Sequence, residues 1–145
     1  MIRRADAADL PALQAMALRF LAETRYAELL TPDPTHLQAT VAVFLERPDG
    51  VLLVSEDGGA VVGMIALVLY LHPFTGSRTV MEVVWWVEPE ARGAGVRLLR
   101  AAETWAREQG AAYLQMVAPT DRVGAFYERL GYAKVETSYQ LALGE

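Results

Sequence analysis

The apolar positions of this chain change their period several times, and each change marks an element. Residues 1–4 make a short apolar-basic start that reads as an edge strand. Leu10, Leu13, Met16, Ala17 and Phe20 then recur at helical spacing, with Asp6 or Asp9 placed to cap and Pro11 tolerated in the first turn. Leu37, Val41, Phe44 and Leu45 give a second helical face, opened by Thr31-Pro32-Asp33-Pro34 and broken by Arg47-Pro48-Asp49-Gly50. From Val51 the pattern turns β-rich: 51–55 is a short run, Asp57-Gly58-Gly59 signals a hairpin, and 60–71 is its long second arm. Thr75-Gly76-Ser77 makes another turn before a strand over 79–87. Pro89 and Gly93-Ala94-Gly95 punctuate the entry to a helix that runs to about Gln109 and stops at Gly110. Residues 112–117 read as a buried strand, 120–130 as a helix stopped by Gly131, and 134–143 as a last strand.

The order is therefore β-α-α-β-β-β-α-β-α-β. Adjacent hairpin strands followed by crossover helices imply an α/β (α+β) fold, a mixed sheet with helices on both faces. No repeat, low-complexity tract or linker interrupts residues 1–145, which are read as a single domain.

Composition narrows the function classes. Of 145 residues, 53% are hydrophobic, which excludes a disordered chain. The absence of Cys excludes a disulfide scaffold, a thiol nucleophile and cysteine metal sites, and it fits a reducing compartment. A net charge of -5 argues against a nucleic-acid partner. The longest apolar run, 60–71, is too short for a membrane-spanning helix, and Met1-Ile2-Arg3-Arg4 meets charge at once, unlike a signal peptide. A cytoplasmic protein without membrane partners is expected. The apolar fraction is nonetheless high for so acidic a chain, and a homodimer interface is one way to absorb it.

The segment from Glu82 to Leu99 carries the chemistry: a strand, a Pro-containing turn, a glycine-bearing loop and an amphipathic helix. Such a loop presents unpaired backbone N–H groups at a helix N-terminus, where the dipole favours negative charge. Glycines let a phosphate approach the main chain, and Arg92 and Arg97 add positive charge in an acidic chain, so a pyrophosphate is the natural ligand. The alternative is that Gly93 and Gly95 simply make a tight turn. The loop lacks the Gly-Lys-Ser/Thr ending of a Walker loop and the three spaced glycines of a dinucleotide fingerprint.

Glu82 lies in an otherwise apolar strand, and simple alternation puts Val80, Glu82, Val84 and Trp86 on one face. Desolvation among Val and Trp would raise its pKa towards values useful to a general base. A strand-entry carboxylate paired with Lys or Arg is the other reading, and His72 is the alternative base. No His/Asp/Glu cluster has metal-ligand spacing, so no metal is expected.

Arg92-Gly93-Ala94-Gly95-Val96-Arg97 resembles the acetyl-CoA motif of the GNAT N-acetyltransferase superfamily, Arg/Gln-x-x-Gly-x-Gly/Ala between a strand and a helix. Gly95 supplies the first motif glycine; Arg97 stands at the Gly/Ala position, or the loop is about two residues shorter than the norm. Ile2-Arg3-Arg4-Ala5-Asp6 with Asp9-Leu10 is similar to the family's opening, and Phe126-Tyr127-Glu128-Arg129-Leu130-Gly131-Tyr132 to its second signature. The three stretches occur in the family's order over nearly the whole chain.

The resemblance implies a mostly antiparallel GNAT-type sheet and an enzyme moving acetyl from acetyl-CoA to a primary amine of a small molecule or peptide, by direct transfer. It places the main chain of Trp86, Val87 and Glu88 along the pantetheine, and Arg92, Gly93, Ala94, Gly95, Val96 and Arg97 around the pyrophosphate. Tyr127 becomes the acid that protonates the leaving thiolate, unless it is a packing residue between Phe126 and Leu130. Asp121 takes the place of the family's CoA-contacting Asn, or serves only as a helix cap. Specificity would come from Arg25, Tyr26, Tyr70, His72, Phe74 and Trp85, which suits a small amphipathic or acidic amine. A catalytically silent CoA-binding sensor or accessory protein is the alternative function.

Overall fold

The computed structural model describes residues 1–144. Five strands form one sheet in the order β1-β2-β3-β4-β5: β1 (Ile2–Arg4), β2 (Gly50–Asp57), β3 (Ala60–Leu71), β4 (Arg78–Val87) and β5 (Tyr113–Gln115). The first four pair antiparallel and β5 joins β4 in parallel. Helices α1 (Leu10–Ala22), α2 (Tyr26–Leu29) and α3 (Pro34–Glu46) separate β1 from β2; α4 (Ala94–Glu108) connects β4 to β5, and α5 (Asp121–Arg129) follows.

The continuous apolar runs of β2 and β3 are explained by burial on both faces. Val51, Leu53, Ile65 and Leu67 pack under Leu98, Ala102 and Trp105 of α4. Their alternating neighbours Leu52, Val54, Met64 and Ala66 pack under Leu13, Met16 and Ala17 of α1 and Val41 and Phe44 of α3. The hairpin between β2 and β3 turns on Gly58 and Gly59 (φ 57° and 82°), a pair of left-handed residues whose twist matches the strands they join.

Three expectations change. The strand read as buried over 112–117 is only Tyr113–Gln115, with Tyr113 exposed and Leu114 and Gln115 half-buried at the sheet edge. Tyr26–Leu29 adds a single helical turn between the two long N-terminal helices. More consequentially, the strand expected over 134–143 is absent: this segment joins no ladder and is exposed throughout. Its alternating apolar pattern is suited to a strand, but no sheet edge within the chain receives it.

Candidate functional site

Strand β4 is interrupted at one residue, and the site follows from that interruption. Ala66 pairs with Val84 and Leu67 with Glu82, so Val83 is bulged out of register. A bulge reverses the alternation beyond it. Val80 and Glu82 therefore share the α4 face, Glu82 standing opposite Leu67, whereas Val84 and Trp86 belong to the α1/α3 face. The single face expected from uninterrupted alternation is corrected accordingly, and Trp85 and Val87 move to the α4 side.

The second feature is the short pairing of β4 with β5. Only Thr79, Val80 and Met81 pair with Tyr113, Leu114 and Gln115. Beyond them β4 continues to Val87 with no strand along its β5 side among the described residues. The two strands part at Glu82, and the chain following β5 leads to α5.

At this parting point Glu82 and Tyr127 converge on one residue. Glu82 is 5% exposed, and burial pushes its carboxyl up to about 8, offset in part by the backbone N–H of Val117 donating to it. Tyr127 donates its hydroxyl to the carbonyl of the same Val117 at 3.0 Å. Burial foremost, then the charge of Glu82 and the neighbouring Tyr132, hold the Tyr127 phenol well above its ordinary range, so it stays a neutral donor. Its ring stacks on Trp85 at 5.8 Å and 25°, and Thr120, not Asp121, caps the helix that carries it, by accepting from the Val123 N–H. Asp121 is an exposed first-turn residue of that helix.

The loop before α4 has the features an anion requires. No side chain caps the helix, so no side-chain oxygen meets its opening amides, although the Gly95 N–H donates to the Arg92 carbonyl at 3.1 Å. Gly93 is exposed, and a Cβ there would meet nothing within 4 Å. Val96 and Arg97 are exposed, while Ala94 and Gly95 are buried against the sheet. Arg92 does not reach over the loop: its guanidinium lies 4.7 Å above the Trp86 ring and 3.6 Å from Glu23.

Glu88 departs from its expected role. Its N–H donates to the Val62 carbonyl, its carbonyl accepts from Ala91, and its carboxylate is held by Arg19 of α1. Its N–H is thus taken up by β3, and its carboxylate ties α1 to the end of β4. Sequence reasoning missed Arg19, Glu23 and the Val117 peptide groups. Arg19 and Glu88 are 69 positions apart, and nothing local signals their pairing.

His72 is not brought to Glu82. It sits in the β3–β4 turn, where its Nδ1 accepts from the Phe74 N–H (3.2 Å) and its ring packs on Tyr113. The expected specificity residues are dispersed as well. Arg25 pairs with Glu28, Tyr26 packs on Phe20, Tyr70 donates to Gln115, Phe74 projects into solvent, and Trp85 lies under α4.

No helix among the described residues is long and apolar enough to cross a membrane. The sequence pattern of the Acetyltransferase (GNAT) family matches residues 16–132. The chain is 29% identical over 135 residues to the uncharacterized N-acetyltransferase YhfO of Bacillus subtilis (strain 168), covering 90% of this chain and 88% of that one. It is 36% identical over 92 residues to an aminoglycoside N(6')-acetyltransferase type 1 of Klebsiella aerogenes, 56% of this chain and 60% of that one. The fold is shared with a predicted acetyltransferase of Clostridium acetobutylicum solved with acetyl-CoA, at a TM-score of 0.76 and 21% identity over 99% of this chain and 96% of that one. The family pattern spans most of the chain, which therefore belongs to the GNAT acetyltransferase family.

Proposed function

We propose that this protein is an acetyl-CoA-dependent N-acetyltransferase that transfers acetyl directly to a primary amine of a small molecule or peptide. The observation that carries the reading is the meeting of Glu82 and Tyr127 at Val117, where β4 and β5 part, beside the uncapped start of α4. Acetyl-CoA supplies the activated thioester when bound. Gly93, Ala94, Val96 and Arg97 offer the amides and positive charge for its diphosphate, with Gly95 holding the loop against the sheet; Val87 offers its main chain at the free edge of β4 to the pantetheine, whereas the Trp86 carbonyl faces β3. Asp121, exposed at the start of α5, is a further contact for CoA.

The chain's own part in transfer is to handle two protons. The amine attacks the acetyl carbonyl; a C–N bond forms, the C–S bond breaks, and Glu82 takes the amine's surplus proton. Tyr127 gives its hydroxyl proton to the departing sulfur and recovers one from solvent. With no Cys in the chain, an acetyl-cysteine intermediate has no carrier. A thermal-shift titration with acetyl-CoA, followed by CoA release over a panel of amines, tests the reading. Stabilisation at saturating ligand is expected, and its absence would remove CoA binding altogether. Tyr127→Phe should lower turnover by roughly 10- to 100-fold. Binding without turnover on any amine would leave the silent sensor instead.

The finer assignments follow the same reading. The acidic, Cys-free composition supports cytoplasmic work on a small or peptidic amine. The exposed tail supports a homodimer: Val135, Tyr139, Leu141 and Leu143 are between 77% and 91% exposed, and β5 is an unpaired sheet edge. Reciprocal pairing of each tail with the other copy's β5 satisfies both. Light scattering should give a dimer that becomes a monomer when residues 134–145 are deleted; a wild-type monomer at high concentration would refute it.

A further inference from the structure

We propose that Trp85 is a positioning residue that couples the loop before α4 to Tyr127; the inference rests on the assignment of Tyr127 as the acid. The bulge at Val83 is what turns Trp85 to the α4 side, and there its indole is held between two elements of the site. On one side lies Gly95: a Cβ at this position would stand 3.3 Å from Trp85 Cζ2 and 3.9 Å from Cε2, so the loop backbone rests directly on the ring. On the other side Trp85 stacks on Tyr127 (5.8 Å, 25°) and meets Phe126 at 6.1 Å.

The indole Nε1 is buried without a partner. The ring's position is therefore set by shape alone, because no hydrogen bond holds it against a push from either neighbour. Tyr127 is braced behind by Tyr132 at 5.7 Å, whose hydroxyl donates to Glu103 of α4 at 2.8 Å. A displacement of the loop at Gly95 thus passes through one ring to the hydroxyl that must meet the departing sulfur. Shifts well below 1 Å at such a group already cost rate.

Two double-mutant cycles test the coupling on whichever amine gives turnover. Gly95→Ala forces the indole to yield by a few tenths of an ångström, whereas Trp85→Phe removes the ring atom that the new methyl would meet. Gly95→Ala should lower kcat about tenfold in the native background and less than about twofold in Trp85→Phe. Its melting temperature should change little, the helical preference of Ala over Gly offsetting the crowding against the indole. On the acid side, Tyr127→Phe should lower kcat by a much smaller factor in Trp85→Leu than in the native protein, since the hydroxyl there is already misplaced. If Trp85→Phe fails to fold by thermal melting, Trp85→Tyr, which also lacks Cζ2 of the indole, takes its place.

Equal fold losses for Gly95→Ala in both backgrounds, with a normal loss for Tyr127→Phe, would overturn the role of Trp85 while leaving the acid in place. Full turnover by Tyr127→Phe, or no turnover on any amine, would remove the acid itself and this inference with it.

Discussion

Asp9 and Glu82 are buried to nearly the same degree, 6% and 5% exposed, yet their surroundings are opposite. Asp9 sits where β1 meets α1 and accepts two hydrogen bonds from the Arg3 guanidinium, at 2.8 and 2.9 Å, and one from the Asp6 N–H at 2.8 Å. The Arg3 hydrogen bonds foremost hold its carboxyl below the ordinary range, against the opposing effect of burial. Glu82 has one backbone N–H and no cation, and burial lifts its carboxyl to about 8. The N-terminal part of the sheet carries its own register shift, between Ser55 and Glu56, but its buried charge is matched. The β4 end is bulged and unpaired, with a carboxylate whose burial is not repaid by stability. A buried acid without a cation is a costly arrangement, and such arrangements concentrate where chemistry is done.

The largest expected effect comes from removing the unmatched charge. Glu82→Gln should lower kcat/KM by 100-fold or more and abolish a rise in activity with pH centred near 8, as expected when a general base is lost. Its effect on stability has the opposite sign. Because the folded protein retains a proton that the unfolded chain sheds above its ordinary value of 4.5, wild-type stability falls as pH rises towards 8. The fall is at most about 1.4 kcal/mol per pH unit and levels off beyond the folded value. Glu82→Gln lacks this slope, so urea melts should find it more stable than wild type at pH 9 and nearly equal at pH 4. A mutant that loses stability at pH 9 would mean that Glu82 is matched after all.

Asp9→Ala breaks the other member of the comparison. Arg3 keeps Glu56 at 3.3 Å, the Arg4 carbonyl at 3.0 Å and the more distant Asp6 carboxylate at 3.9 Å, and the Asp6 N–H loses its acceptor. A loss of about 2–3 kcal/mol is expected at pH 7, with kcat within twofold of wild type. Here the folded value is depressed, so the contribution is present above the ordinary value of 3.8 and fades as pH falls through the folded one. Wild type and mutant should converge in acid, whereas wild type and Glu82→Gln diverge in base. Parallel melts from pH 2 to 9 read both signs in one experiment.

How much of this was legible in the sequence depends on whether the cause was local. The helices over Leu10–Ala22 and Ala94–Glu108, the Gly58-Gly59 turn and the strands β2, β3 and β4 follow from period and punctuation, and they stand where the pattern puts them. Glu82 could be picked out as a carboxylate among Val and Trp. Its face could not, because the bulge at Val83 arises from how β3 and β4 register over many residues, and Val-Val-Trp-Trp carries no mark of it. The tail shows the converse: Tyr139, Leu141 and Leu143 alternate as a strand should, but alternation describes a preference for an edge and does not supply one. Arg92 reads as a phosphate ligand from its place in the motif. Trp86 and Glu23, which hold it here, become neighbours only through the fold.

Glu88 offers the smallest effect and the finest division of the comparison. It is as buried as the other two acids, but its one side-chain partner, Arg19, comes from a half-exposed side chain on α1. Arg19→Met removes both Nε contacts, at 3.0 and 3.1 Å, while leaving most of the side chain's volume. Were Glu88 enclosed as Glu82 is, losing its cation would cost several kcal/mol. Because Arg19 opens onto solvent, water can follow into the vacated position and solvate the carboxylate, so about 1 kcal/mol is expected in urea melts at pH 7. Arg19→Lys should recover part of it, since an ammonium keeps the charge but not the planar fork that meets both oxygens. A cost as large as that of Asp9→Ala would show that α1 seals this end of β4 against water, placing Glu88 with Asp9 among the matched charges.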